Sequence, residues 1–567
     1  MDSFSVLIGG RAGDGINEAG MLIAQMLNQL GYRLYQYYDY PSLIRGGHNF
    51  SIVRAAREMI GAHLDSMDVI IALNQETVSL HRARMKEESI LIFDSNQVKE
   101  EGGMGIPVGR IMKEEHAPPI MRNTCILGAF CRAAGIPWEV LEKVVKSRIP
   151  RMVEMNLQVA RRGYDAAREA VRVPDLGREP LPIITGNEAV GLGLLKGGLK
   201  AYVAYPMTPS SSILHFLASV APDFQLKVVH PENEIAVMLM ALGFSYAGER
   251  SAVGTSGGGF CLMTEGLSLA GQAELPVTIV VSQRTGPSTG VPTYTAQSDL
   301  HFILNAGQGE FPRLVVAPGD PLECYDWSAL ALHLSWKYQI PSFVLLDKTL
   351  SEGAYSMDPR ASLVGEELAG EELTGDHLAG EEGQPAAWEG RGEPYRRYQI
   401  TESGVSPLLW PPVPGAAVKV DSYSHDQMGI TTEDGATVAA MQEKRMRKEG
   451  HLQEDLAGYQ TVRVYGDADS PTALLCWGSN KWPCIEAASA LGQKVIVPVV
   501  LWPFPDRQLA AALDGVERMI SVENNITGQL ARLLRCRDLE VQDLVLKYDG
   551  RPFAVNELEM RLREVLS

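Results

Sequence analysis

The chain has 567 residues, a prior of three or four domains at about 150 residues each. Lys and Arg total 51 against 69 Asp and Glu, a formal net charge of −18. That acidity excludes a global attraction for nucleic acid or an anionic membrane, and a composition 45% hydrophobic and 21% charged excludes wholesale disorder.

No run approaches the roughly 18 apolar residues that a membrane span needs. The first residues enter a strand-like stretch with no basic leader, so no signal peptide and a cytoplasmic location are expected. Cysteines stand at 125, 131, 261, 324, 476, 484 and 536, with no CxxC and no Cys/His cluster of metal-ligand spacing. This predicts reduced, mostly buried thiols and no metal or iron–sulfur cluster on this chain.

The first stretch, 1–178, opens as a strand over 4–8, a turn through Gly9, Gly10, Gly13 and Gly15, a helix over 21–30 with Asn17 placed to cap it, and a returning strand over 33–38. That order predicts a βαβ opening. Further short strands are expected at 69–73 and 90–93, and helices within 136–172. Backbone amides where such a loop enters a helix can hold phosphate. The spacing is not GxGxxG, so a nucleotide-binding dehydrogenase rests on this loop alone, beside the plain reading of a tight turn. Gly13-Asp14-Gly15 resembles the start of a magnesium–diphosphate motif, but 38–46 read YDYPSLIRG and hold no Asn pair to complete it. Residues 40–49, YPSLIRGGHN, form a polar loop with Arg45 and His48 that suits either an anion or a subunit contact.

A linker over 173–182 leads to 183–355. Helix patterns at 187–196, 212–220 and 232–247 alternate there with strands at 201–204, 277–282, 313–317 and 342–346, which predicts a parallel sheet covered on both faces. Residues 356–467 are an acidic, irregular connecting segment. Its repeat GEELA GEELT GDHLA GEEG at 365–383 reads as a solvated linker without chemistry. A last α/β unit, 468–567, carries strands at 473–477, 495–501 and 519–522. The fold class is α/β, with three α/β domains.

Three strand ends of the second domain converge on one kind of chemistry. YPMTPSSS (205–212) follows one strand, GTSGGGF (254–260) the next, and SQRTGPSTG (282–290) a third. Hydroxyls, glycines and one Arg collect where open parallel sheets bind ligands, and an Arg among Ser and Thr suits a small carboxylate. Glu234 begins a helix (ENEIAVMLM) whose neighbours are almost all apolar. Such a helix is expected to be buried, and its Glu either complements the helix dipole or hydrogen-bonds a cofactor nitrogen.

Taken in order, YPSLIRGGHN, YPMTPSS, ENEIAV, GTSGGGF, QRTGPSTGVPT, AQSDL to GEFPR, HDQMG, WPFP and ENNITGQ resemble the α subunit of 2-oxoacid:ferredoxin oxidoreductases with a γ-like domain fused at the N-terminus, as in 2-oxoglutarate:ferredoxin oxidoreductase α chains. The resemblance implies a γ-like domain (1–178), a transketolase-like pyrimidine-binding domain for thiamine diphosphate (183–355) and a transketolase-C-like domain (468–567). It implies thiamine diphosphate shared with a separate β subunit that carries Mg2+ and a [4Fe–4S] cluster, in an αβ or α2β2 assembly. The implied reaction is reversible oxidative decarboxylation of 2-oxoglutarate with coenzyme A to succinyl-CoA, CO2 and reduced ferredoxin. Pyruvate or a branched-chain 2-oxoacid stands as an alternative substrate, and a non-catalytic assembly subunit as an alternative role.

The resemblance places Glu234 at the cofactor's N1′, with Pro206, Ser256 and Gly257 along the cofactor. It places Thr208 and Arg284 on the substrate, and Gly13, Gly15 and Arg45 in a coenzyme A or anion loop. The chain departs from the family at Met207, usually Ile, at Ser212, where an acidic residue is usual, at the Gly258 position, often Pro, and at Asp14, often Gln.

Overall fold

A computed structural model of the chain describes residues 3–43, 46–361, 394–413 and 416–567. The acidic repeat at 365–383 and Arg45 lie outside the described residues. The chain forms two compact units. One takes in residues up to Ile184 with Glu352–Asp358 and Phe553–Ser567, the other Thr185–Ser351 and Pro359–Pro552.

The first unit is built on a mixed sheet. The fully apolar middle of strand Ser3–Arg11 pairs in parallel with Met67–Ala72, which pairs with Met85–Asp94. On its other side Ser3–Arg11 pairs antiparallel with His48–Ala56, and that strand pairs antiparallel with Arg33–Asp39. The βαβ opening is therefore split: a later strand is inserted between its two strands. Gly9 and Gly10 are extended and paired with Phe50 and Asn49, so the turn spans only 12–15. Gly15, at φ 66°, caps the helix Ile16–Gln29. Asn17 is thus inside that helix, where its carbonyl and its Oδ1 each accept from Gln36 Nε2 at 3.2 Å. The helix buries Ile16, Ala19, Ile23 and Leu27, the spacing of one apolar stripe. Two distant segments complete this unit. Ala354–Ser356 adds an antiparallel strand beside Arg33–Asp39, and Asn556, in the last helix Val555–Leu566, accepts from the backbone of Asp65 at 2.9 Å.

The second unit holds two sheets. In the larger, Lys227–Val229, Ala201–Ala204, Ser251–Thr255, Val277–Gln283, Pro341–Asp347 and Leu314–Val316 lie side by side, all parallel, with Val500–Trp502 antiparallel at the edge. Val277–Gln283 and Pro341–Asp347 are buried at every position, as central parallel strands covered by helices must be. The smaller sheet runs Val462–Gly466, Lys494–Pro498, Thr472–Leu475, Arg518–Glu523, Asp543–Leu546, with only the first antiparallel.

A long helix, Gly435–Leu456, packs on the larger sheet's module through buried charge. Lys444 Nζ donates to both Glu274 oxygens at 2.7 and 2.8 Å, and Lys448 reaches the same carboxylate. All three side chains are at most 2% exposed. Burial alone would raise the Glu274 carboxyl, but Lys444, Lys448 and Arg397 outweigh it and hold it well below the usual carboxylate range. Glu274→Gln is expected to cost about 3–5 kcal/mol of folding stability, because it strands two buried ammonium groups. Denaturant unfolding of the single variant reads this. An unchanged midpoint would mean that the lysines are neutral in the fold.

Among the described residues no helix is long and apolar enough to cross a membrane. All seven cysteines are free thiols, five of them buried. The apolar helix Glu234–Tyr246 departs from expectation. Ile235, Leu239 and Met240 are 48%, 42% and 43% exposed, and Leu262 on the neighbouring helix Gly257–Ala273 is exposed as well. Only the opposite side, Val237, Met238, Ala241 and Leu242, faces the core.

Candidate active site

The strand order of the larger sheet sets the place of the site. From Ala201–Ala204 the chain crosses to the edge strand Lys227–Val229. It then passes back to Ser251–Thr255 on the other side of Ala201–Ala204. The strand order therefore reverses between Ala201–Ala204 and Ser251–Thr255, and open parallel sheets bind ligands at the carboxyl ends of the strands at such a reversal. Thr208 follows the first of these strands, Ser256 the second, and Arg284 the next strand along.

Arg284 and Thr208 are brought together: Arg284 Nη1 donates to the Thr208 carbonyl at 2.8 Å. Arg284 Nε is buried and has no hydrogen-bond partner among the described residues. Burial lowers the guanidinium's pKa and Asp299 opposes that shift. Thr208 is half-buried, and among the described residues its hydroxyl makes no hydrogen bond. The neighbouring serines are committed to structure. Ser210 Oγ donates to the Met207 carbonyl at 2.8 Å, and Ser212 Oγ accepts from Asn187 Nδ2 at 2.7 Å. Pro206 is exposed.

Ser256, Gly257 and Glu234 line one short stretch. Ser256 is the N-cap of Gly257–Ala273, yet its hydroxyl caps nothing and is buried without a partner among the described residues. Glu234, at the first turn of its helix, is 5% exposed. Its carboxylate accepts no hydrogen bond among the described residues. A Cβ on Gly259 would stand 2.8 Å from Glu234 Oε1, and one on Gly257 would stand 2.3 Å from Asp299 Oδ2. A side chain at either position would have to displace a carboxylate, and with glycine the loop presents bare backbone between the two. Buried groups with no internal partner are rare and call for a ligand. This set suits a flat ring carrying hydrogen-bonding nitrogens.

Asp299 is the residue that sequence reasoning passed over. It was legible only as part of AQSDL, with no role attached. Its backbone N–H donates to Gln283 Oε1 at 2.9 Å, which ties it to the residue before Arg284. Burial pushes its carboxyl up to about 6, with Arg284 opposing. Two residues earlier, Gln297 is a hub to the smaller sheet. Its Nε2 donates to the Trp477 carbonyl at 2.7 Å, and its Oε1 accepts from Asn480 Nδ2 at 2.7 Å and the Asn524 N–H at 3.0 Å.

Gly13 and Gly15 belong to the first unit. Gly13 is exposed at φ 93°, and a Cβ there would meet nothing. Asn123 Nδ2 donates to the carbonyls of Asp14 and Gly15 at 2.6 and 3.0 Å, and Asp14 Oδ2 accepts from the Arg11 N–H at 2.9 Å. The loop is held at its base, and the helix behind it has no side-chain cap.

Residues 193–439 match the family described as "Pyruvate flavodoxin/ferredoxin oxidoreductase, thiamine diP-bdg", and residues 5–166 match "Pyruvate ferredoxin/flavodoxin oxidoreductase". The chain is 30% identical to 2-oxoacid:ferredoxin oxidoreductase 2, subunit alpha, of Aeropyrum pernix, over 100% of this chain and 98% of that one. It is 27% identical to the 2-oxoglutarate synthase subunit KorA of Methanothermobacter thermautotrophicus, over 61% of this chain and 88% of that one. A solved structure of 2-oxoglutarate:ferredoxin oxidoreductase from Magnetococcus marinus, with 2-oxoglutarate, coenzyme A and succinyl-CoA bound, superposes with a TM-score of 0.89 at 29% identity, covering all of both chains. The chain belongs to the 2-oxoacid:ferredoxin oxidoreductases, as an α subunit of the thiamine-diphosphate-dependent kind.

Proposed function

We propose that this subunit serves the coenzyme A-dependent oxidative decarboxylation of 2-oxoglutarate to succinyl-CoA and CO2, with electrons passed to ferredoxin. The observation that carries the reading is the buried Glu234 carboxylate, unpartnered among the described residues, beside a bare glycine loop, with Arg284 and Thr208 joined across the end of the strand Ser251–Thr255 that lies between theirs. The residues fit thiamine diphosphate: Glu234 would hold the pyrimidine N1′, and Ser256 and Gly257 would flank the ring. When bound, that cofactor supplies the nucleophilic carbon that takes the 2-oxo group and lets CO2 leave.

The rest falls to this chain's side chains. Arg284 takes the substrate's 1-carboxylate through its free Nε and an Nη, a charge-assisted pair. Thr208 Oγ donates to a carboxylate or ketone oxygen of the substrate. Glu234 would share a hydrogen bond with N1′ from a side chain that is almost fully buried.

The sequence offers no complete magnesium–diphosphate motif, which supports placing Mg2+ and the [4Fe–4S] cluster on a β subunit. Ile235, Leu239, Met240 and Leu262 form an apolar face on the helices that carry Glu234 and Gly257, the ground on which that subunit would dock. Gly13 and Gly15, with Arg45, are the proposed coenzyme A or anion loop. Seven free thiols support a reducing, cytoplasmic setting.

Anaerobic co-expression with the β subunit tests the reading. Coenzyme A-dependent viologen reduction is expected with 2-oxoglutarate, at a higher kcat/KM than with pyruvate or 2-oxoisovalerate. A preference for another acid overturns the substrate. No turnover with any of the three, from a complex holding cofactor and cluster, overturns the activity.

A further inference from the structure

The proposed substrate site contains a second acid that the reading above leaves without a purpose. Asp299 Oδ2 lies so close to Gly257 that a methyl group there would collide with it at 2.3 Å. Arg284, within electrostatic reach, is the charged group that faces Asp299 from the adjoining strand end. Yet the two are not paired, and among the described residues the Asp299 carboxylate accepts no hydrogen bond. The first turn of Gly257–Ala273 presents glycines and Phe260, and nothing titratable. Glu234 lies beyond, against Gly259. On the short helix Leu300–Asn305, which Asp299 precedes, His301 Nε2 lies 2.9 Å from the Gln529 carbonyl. From the smaller sheet, Glu523 is taken up by Trp477, Ser521 and Asn525.

Nor is Asp299 on a loose loop. Gln283 holds its backbone, Gln297 anchors the segment, and Gln529 Nε2 donates to the Ser298 carbonyl at 2.6 Å. A rigidly held, half-buried carboxyl group faces the place where an anion is to bind. Ionised, it would repel a substrate carboxylate on Arg284 across a poorly solvated gap. Protonated, it becomes a donor to a substrate oxygen.

We propose that Asp299 is a substrate-binding residue that acts as a neutral carboxylic acid, so that each 2-oxoacid anion is bound together with one proton taken up from water. The proton ends on Asp299 Oδ and is shared with a substrate oxygen. No bond in the substrate changes at this step. The inference rests on the reading of Arg284 as the carboxylate site.

The sign follows from the ionised form being the wrong one. Below the carboxyl's own titration near 6, kcat/KM is level. Above it, kcat/KM falls about tenfold per pH unit, because that ratio reports the free enzyme. The loss appears in KM and not in kcat, since bound substrate keeps the acid protonated.

The test is the pH profile of kcat/KM for 2-oxoglutarate on the assembled complex, for wild type, Asp299→Asn and Asp299→Ala. Wild type is expected to show the alkaline limb. Asp299→Asn, a permanent neutral donor, is expected to lack it and to match or exceed wild type at high pH. Asp299→Ala is expected to lack both the limb and the donor, with KM raised about tenfold. A merely structural acid would make Asn worse at every pH and leave the limb in place, which overturns the proposal. A wild-type profile with no alkaline limb in KM overturns it even if neither variant folds. Arg284→Ala run in parallel separates the two readings. If it leaves kcat/KM unchanged, the carboxylate site itself is wrong and this inference falls with it. If it is impaired while Asp299→Asn keeps the limb, only the role of Asp299 fails.

Discussion

Glu234→Gln in the assembled complex is expected to lower kcat by at least about 10²-fold, the lower end of what a positioned acid–base group contributes. Folding should barely notice. The Glu234 carboxylate has no hydrogen bond of its own to lose among the described residues. Its one structural benefit is a negative charge at the first turn of Glu234–Tyr246, of order 0.3–1 kcal/mol. A glutamine keeps the shape and the packing against Gly259. Turnover and thermal midpoint therefore separate the two explanations of a buried Glu at a helix start. A large loss of kcat with a nearly unchanged midpoint marks a group held for a ligand. The reverse marks a group held for the helix, and the N1′ assignment would then be wrong.

Arg284→Ala is expected to lower kcat/KM for the 2-oxoacid by about 10²-fold, with most of the loss in KM. A hydrogen-bonded charge is worth roughly 1.5–3 kcal/mol, and about 1.4 kcal/mol is tenfold. The deletion also releases the Thr208 carbonyl, which Arg284 Nη1 holds at 2.8 Å, so the second proposed substrate contact loosens with the first. Arg284→Lys keeps the charge but loses the fork, and should recover part of the loss. Steady-state kinetics on the two variants read this directly. An unchanged kcat/KM for the alanine variant removes Arg284 from the substrate.

The central strands of the larger sheet were legible in the sequence because they are short apolar runs between helix patterns; its edge strands were not, Lys227–Val229 being too short to stand out and Val500–Trp502 continuing a run that read as one strand of the last unit. The strand ends carried their chemistry in compact segments, at 205–212, 254–260 and 282–290. What joins these segments was less legible. Asp299 meets Gly257 only because Gln283 and the Gln297 hub fold the intervening chain back, and no spacing encodes that contact. In the first unit, Gly9 and Gly10 read as a turn because glycine usually marks one. The pairing with Phe50 and Asn49 makes them strand, and that pairing is non-local. Asn17 read as a cap by residue type, while the positive φ of Gly15 starts the helix earlier. Ala354–Ser356 and the last helix join the first unit from far along the chain, which local periodicity does not record. Mean apolarity predicted a buried Glu234–Tyr246. One face is exposed because hydrophobicity measures the need for a partner and not whether this chain provides it.

The central claim is that Glu234 and the bare glycine loop hold the pyrimidine of thiamine diphosphate. A cryo-electron microscopy map of the α–β complex loaded with the cofactor tests it most directly. The account predicts a Glu234 carboxylate oxygen about 2.6–3.2 Å from N1′, hydrogen-bonding reach, with the ring against Ser256 and Gly257 and the partner subunit covering Ile235, Leu239 and Met240. A cofactor bound elsewhere, or a Glu234 carboxylate that does not reach N1′, would contradict it.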